Sequence, residues 1–210
     1  LNQVKHLSGL QTLLGNAHRV QDEFQLRRAR LRLSGHIMCA RNGCDGLRQQ
    51  IGVTVSYDPA YTTLTYPNGD VPNDRGVCTD VVIRAMRAGI SKDLQKLIHE
   101  DMRGNFSAYP KNWNSSRPDR NIDHRRVPNL QTWFKRQGYQ LPLTADKDPA
   151  KFLPGDLVTC TVPPHLPHIM IVSDRKSDAG VPLVIHNIGG GTREEDRLFE
   201  FPLTGHYRVK

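Results

Sequence analysis

The sequence has no apolar run near the roughly eighteen residues that a membrane-crossing helix needs, so no transmembrane segment is expected. Aromatic residues are few, 7% of the chain, and they do not alternate with Arg and Lys. A stacking platform for bases is therefore missing, and nucleic acid is not expected as a partner. Four cysteines at irregular spacing (Cys39, Cys44, Cys78, Cys160) are too few for a disulfide framework. Cys39 and Cys44 are near enough to bridge locally or to stay as free thiols, and no second pair completes a zinc site. His165, His168, His186 and Cys160 fail as a metal set, because His165 and His168 flank Pro167 and do not lie on a helix. No metal and no cofactor are expected. Residues 1–35 lack an apolar core with a small-residue cleavage site, so no signal peptide is expected within a chain that opens on Leu1. Repeats and low-complexity tracts are absent as well.

What remains is a chain of 210 residues, long enough for one well-cored domain with a small appendage. Charged residues at 24% and apolar ones at 37% are ordinary for a soluble globular protein. A net charge of +8 favours an anionic partner such as a bacterial cell wall or an acidic surface. Charge alone fits equally well a basic protein without such a ligand.

Residues 1–46 differ from the rest. Leu10, Leu13, Leu14, Ala17, Val20 and Phe24 recur at helical spacing, and Arg27, Arg28, Arg30 and Arg32 follow. This predicts an amphipathic N-terminal helical extension with a basic end, either packed on the main domain or serving as a docking or pro-segment. Gly43 and Gly46 mark a loop, and a second domain runs over 47–210. In it, residues 66–76 are a turn-rich loop dense in Pro, Gly, Asn and Asp. A helix is expected over 78–88 with Val81, Val82, Ala85 and Met86 inward, stopped by Gly89. A second helix is expected from Ser91 as N-cap, and a third from Pro128 to Gly138. Three strand-like runs follow at 156–162, 168–174 and 182–187. Helices followed by a strand meander predict an α+β domain on an antiparallel sheet.

Cys78 falls at the first turn of the 78–88 helix. Unpaired backbone N–H groups and the helix dipole there favour a thiolate, and the same N–H groups suit an oxyanion. The polar loop and Gly76 predict that the thiol is presented rather than buried. A thiol nucleophile needs a base and a group that orients the base. His168 opens the second strand run, and His186 lies near the end of the third. Pairing of the two runs as a hairpin brings the histidines to one sheet edge. Strand alternation lets only one of His186 and Asn187 face His168, so His186 is the expected orienter and Asn187 the fallback. A Cys78 thiolate beside a protonated His168 would be alkylated quickly below the pKa of a free thiol. Arg117, Arg120, Arg125 and Arg126 form a basic run suited to gripping substrate carboxylates. The interspersed Asp119 and Asp123 fit an internal salt-bridge network equally well.

Gly76-Val-Cys78-Thr-Asp80, then Leu153-Pro-Gly-Asp-Leu-Val158, His168-Ile-Met-Ile-Val172 and Val184-Ile-His186 together resemble the NlpC-type, papain-like cell-wall cysteine peptidases. The chain from about Gln50 onward also resembles a bacterial domain family catalogued without a function. The segments that carry this are Tyr66-Pro-Asn-Gly-Asp70, Gly76-Val-Cys-Thr-Asp-Val-Val82, Asn121-Ile-Asp-His-Arg-Arg-Val-Pro-Asn-Leu130 and His186-Asn-Ile-Gly189. The Cys turn departs from the NlpC-type Asp-Cys-Ser-Gly. The resemblance implies a papain-like fold, with N-terminal helices packed on the antiparallel sheet. It also implies hydrolysis of an amide in peptidoglycan stem peptides through a thioester, in the periplasm or outside the cell. A tyrosine ahead of the nucleophile often completes the oxyanion site in that family, and Tyr66 is the matching candidate. Two rivals share the sequence: a non-enzymatic module that binds the wall or another anionic polymer, and an acyltransferase on the same fold. Oligomeric state is not legible.

Overall fold

The computed structural model describes residue 39 and residues 44–143 and 147–210. The amphipathic helix expected within 1–46, with its apolar positions Leu10–Phe24 and its basic end Arg27–Arg32, lies outside the described residues. A disulfide joins Cys39 to Cys44. A one-turn helix α1, Asp45–Arg48, follows and spans the expected domain boundary, so Gly46 is helical rather than in a loop. Arg48 ties it to the sheet by a bidentate hydrogen bond from its guanidinium to Glu194 (3.0 and 2.8 Å) and a further contact with Asp174.

The short strands β1 (Ser56–Tyr57) and β2 (Arg75–Gly76) pair in parallel across the turn-rich loop. Helix α2 runs Cys78–Ile90, two residues beyond the expected end, because Gly89 is accommodated and Ser91 takes the left-handed conformation (φ 55°). Ser91 therefore ends one helix instead of starting the next. Asp93 caps α3 (Leu94–Asn105), its carboxylate accepting the Gln95 N–H at 3.1 Å. Residues 106–126 are irregular with two short 3-10 turns. They lead to α4 (Val127–Arg136), with Pro128 in its first turn and Gly138 at φ 71° after its end.

Next come β3 (Gln140–Leu141), β4 (Leu157–Val162), β5 (Leu166–Lys176), β6 (Pro182–Asn187), β7 (Thr192–Glu195) and β8 (Leu203–Tyr207). They form one antiparallel sheet in the order β3-β8-β4-β5-β6-β7, so the described residues make an α+β domain. Leu157, Ile169, Ile171, Ile185 and Tyr207 turn to the helices and pack with Val81, Met86, Leu130 and Phe134. Val158, Cys160, Met170, Val172 and Val184 turn to the other face, where Phe152 and Leu198 cover them. Both faces are buried, which explains why these strands read as nearly unbroken apolar runs.

Candidate active site

Cys78 is the first residue of α2, and the sequence sets it there by three local devices. Val77 is extended (φ −110°, ψ −179°), which turns the chain into the helix. The Asp80 carboxylate reaches back to accept the Val77 N–H at 2.7 Å, satisfying an orphan donor at the helix start. Asn187 then donates from Nδ2 to the Gly76 carbonyl (2.9 Å) and the Ser56 carbonyl (3.2 Å), which fixes the entry loop to the end of β6. Below the helix start, Arg125 holds Asp80 in a two-point ion pair (3.0 and 2.9 Å) and donates to the Ala60 and Asp58 carbonyls. Both side chains are almost wholly buried, 2% and 3% exposed. With its donors so occupied, the guanidinium of Arg125 braces the helix instead of reaching for a ligand.

The backbone N–H groups of Ile169, Thr79 and Cys78 itself lie toward the sulfur and favour its charged form. Val172 exchanges both its bonds with the β4 side, its N–H going to Asp156 and its carbonyl accepting from Gly155 (2.8 Å each). By antiparallel alternation the Ile169 N–H then points to the β6 side. The β5–β6 pairing runs no further in that direction than Ile171 with Ile185, so this N–H has no partner on β6 and is turned toward Cys78. The thiol thus lies at the open end of the β5–β6 ladder.

The two histidines meet at that same end. His168 Nε2 and His186 Nδ1 are 2.8 Å apart, and His186 Nε2 lies 3.1 Å from Glu195 Oε2. Glu195 is set by β7, which pairs with β6 in a register that puts Arg193 opposite His186 and Glu195 opposite Val184. Glu195 is therefore the diagonal same-face neighbour of His186. Gly191 permits the tight hairpin (φ 86°), and a Cβ there would meet the Thr54 carbonyl at 2.5 Å.

Glu195 decides the tautomers. A carboxylate accepts, so His186 carries its proton on Nε2 and offers a lone pair at Nδ1. His168 then donates from Nε2, which leaves its Nδ1 as a lone pair fit to take a proton. Asn187 points elsewhere, to Gly76 and Ser56, so it does not orient His168.

Two expectations are corrected. Cys78 is buried, 4% exposed, rather than presented by its loop, because it joins the apolar core that includes Val81 and Ile169. Burial pushes its thiol up to about 11, and burial with the neighbouring His186 pushes His168 down to about 3. At neutral pH both groups are uncharged, not a thiolate–imidazolium pair. His168 also pairs with Cys160 across β4–β5, on the face away from the helices. Among the described residues no hydrogen bond joins the Cys78 thiol to either imidazole: strand alternation turns both imidazoles to the face that carries Cys160 and Val184, while Cys78 packs on the helix face.

The thiol side opens to a cavity of about 180 Å³ lined by Cys78, Tyr57, Trp113, Arg126, Pro128 and Pro167 among others. Tyr57, not Tyr66, is the tyrosine beside the sulfur. Burial, then the nearby Cys78 and Asp80, push its phenol up to about 12, so it stays a donor. Tyr66 packs edge-on against His99 (5.4 Å) and does not line this cavity. The basic run is split three ways. Arg125 is the brace just described, and Arg126 stacks on Trp113 (4.1 Å) and pairs with Asp123 (3.1 Å) at the cavity. Arg117 and Arg120 line a separate, larger cleft of about 580 Å³.

Sequence reasoning missed Tyr57 and Glu195. Glu195 sits on a strand reading Thr-Arg-Glu-Glu, without an apolar alternation to betray it. The run Gly189-Gly-Gly191 after His186 was the available sign of a hairpin.

A cysteine heading a helix, set at the histidine-bearing end of an antiparallel sheet, defines an α+β domain with a cysteine-lined cavity. The chain belongs to the DUF1287 family, described as a domain of unknown function, which matches residues 44–209. It is 57% identical over 164 residues to "Uncharacterized protein YijF" of Escherichia coli (strain K12), an alignment that covers 78% of each chain. No solved structure matches it.

Proposed function

We propose that this chain is a cysteine hydrolase of papain-like, NlpC type that cleaves an amide in peptidoglycan stem peptides, in the cell envelope or outside the cell. The observation that carries the reading is the sulfur's position. It heads a helix, opens on a cavity and lies at the same end of the β5–β6 ladder as the His168–His186–Glu195 chain. In this scheme the His168 ring swings around the open end of the β5–β6 ladder when substrate binds, and Cys78 Sγ attacks the amide carbonyl carbon while its proton passes to His168 Nδ1. The negative oxygen is held by the helix-start N–H groups and the Tyr57 hydroxyl. His168 gives the proton to the leaving amine, and the C–N bond breaks to leave a thioester. Water, losing a proton to His168, then frees the acid and restores the thiol. Starting from two neutral partners, proton transfer accompanies attack, which suits a water-poor site where a standing ion pair is costly.

One observation favours a second reading, a non-enzymatic module for the wall or another anionic polymer. It is the buried, protonated thiol with no hydrogen bond to a histidine. Digestion of purified peptidoglycan, with products identified by mass spectrometry, separates the two. Wild type should release cleaved stem peptides and Cys78→Ala should release none. Cleavage that survives in Cys78→Ala removes the nucleophile assignment. An added amine acceptor appearing in the products would make the protein an acyltransferase.

A further inference from the structure

The larger cleft shares no lining residue with the Cys78 cavity, yet one segment serves both. Trp113 and Ile122 line the cavity, and the residues between them, Asn114–Asn121, line the cleft. The wall of the cleft is rigidly framed. Tyr61 Oη donates to Asp119 (3.0 Å) and accepts from Asn121 Nδ2 (2.8 Å), and Asn121 Oδ1 accepts the Leu64 N–H (3.0 Å). Asp119 also accepts the Asn121 N–H (2.9 Å), so both its oxygens are engaged within the frame.

The remaining polar groups are rich in donors. Among the described residues, Arg117 and Arg120 have no carboxylate within ion-pair distance. Arg120 is accompanied instead by the Tyr66 ring, 5.8 Å from its guanidinium carbon. Ser115 and Ser116 add hydroxyls to the same wall, and His99 adds an imidazole whose Nδ1 is buried without a partner. Two planar guanidinium groups on a preformed wall match a planar two-oxygen anion. We infer that this cleft is a carboxylate-binding subsite. Resting on the hydrolase reading for its context, it takes a free carboxylate of the substrate while the scissile amide lies on the other side of the 113–122 segment.

Two measurements test it, one of which does not depend on turnover. In the first, peptides ending in a free carboxylate are compared with the same peptides as carboxamides. The wild type should favour the acid by about tenfold or more in kcat/KM, and Arg117→Gln/Arg120→Gln should treat the two alike. A preference unchanged in the double variant overturns the subsite. In the second, glutarate and inorganic phosphate are titrated against the isotope-labelled protein. Glutarate should shift the backbone amides of 114–121 in wild type and in Cys78→Ala, and should leave them unmoved in the double variant. Glutarate that moves them equally in the double variant, or phosphate binding about tenfold tighter than glutarate, overturns the assignment. If no peptide is cleaved at all, the hydrolase reading falls while the glutarate titration still decides the subsite.

Discussion

The thiol of Cys78 and the imidazoles of His168 and His186 are buried alike but held by opposite means. The sulfur is positioned by the main chain: a helix start, an unpaired strand N–H and a loop pinned by Asn187. The imidazoles are positioned by side chains, each turned by the next, in a series that ends on the carboxylate of Glu195. A backbone-held group keeps its place when one neighbour is trimmed, whereas a relay of side chains fails at its weakest link. The two halves also share a property that neither shows alone. Burial disfavours charge on the thiol and on both imidazoles, so these three groups rest neutral.

The largest effect on this contrast should come from the brace below the sulfur. Arg125→Ala strands the Asp80 carboxylate in the interior and should cost about 3–5 kcal/mol, read as a lower urea midpoint. A loss under about 1 kcal/mol would mean that the main chain holds the helix start unaided. Next, Glu195→Ala should lower turnover about a hundredfold with little change in the urea midpoint. Its signature is a changed tautomer balance at His186 and His168 in nitrogen NMR, and unchanged spectra would show that the relay is not set from Glu195. Third, in a Cys160→Ser background, iodoacetamide should react slowly with Cys78 at neutral pH. The rate should still be climbing above pH 9, because burial holds the thiol at about 11. A rate already level below pH 8 would restore the thiolate pair expected from the helix start alone. Smallest, Tyr57→Phe should slow turnover about tenfold while Tyr66→Phe leaves it as it was. Equal effects would remove Tyr57 from the oxyanion site.

Much of the frame was legible in the chain itself. Val81, Val82, Ala85 and Met86 recur at helical spacing, and the apolar runs that became β4, β5 and β6 are long enough to declare themselves. β3 and β7 were not, since each is short and mostly polar, and β8 was hidden by Gly205 in its middle. Ser91 was misread because a serine suits a cap at either junction, and its left-handed backbone is decided by how α2 and α3 pack.

The sequence by itself determined the α+β class, the helix that starts at Cys78 and the strands that carry His168 and His186, since these follow from periodicity and turn chemistry within a few residues. The tertiary structure alone decided that the thiol is covered and that Arg125 braces a buried carboxylate while Arg117 and Arg120 face a cleft. It alone made Glu195 the end of a proton-orienting chain. Burial and ion pairing depend on groups far apart in the chain, and local spacing holds no record of which will meet.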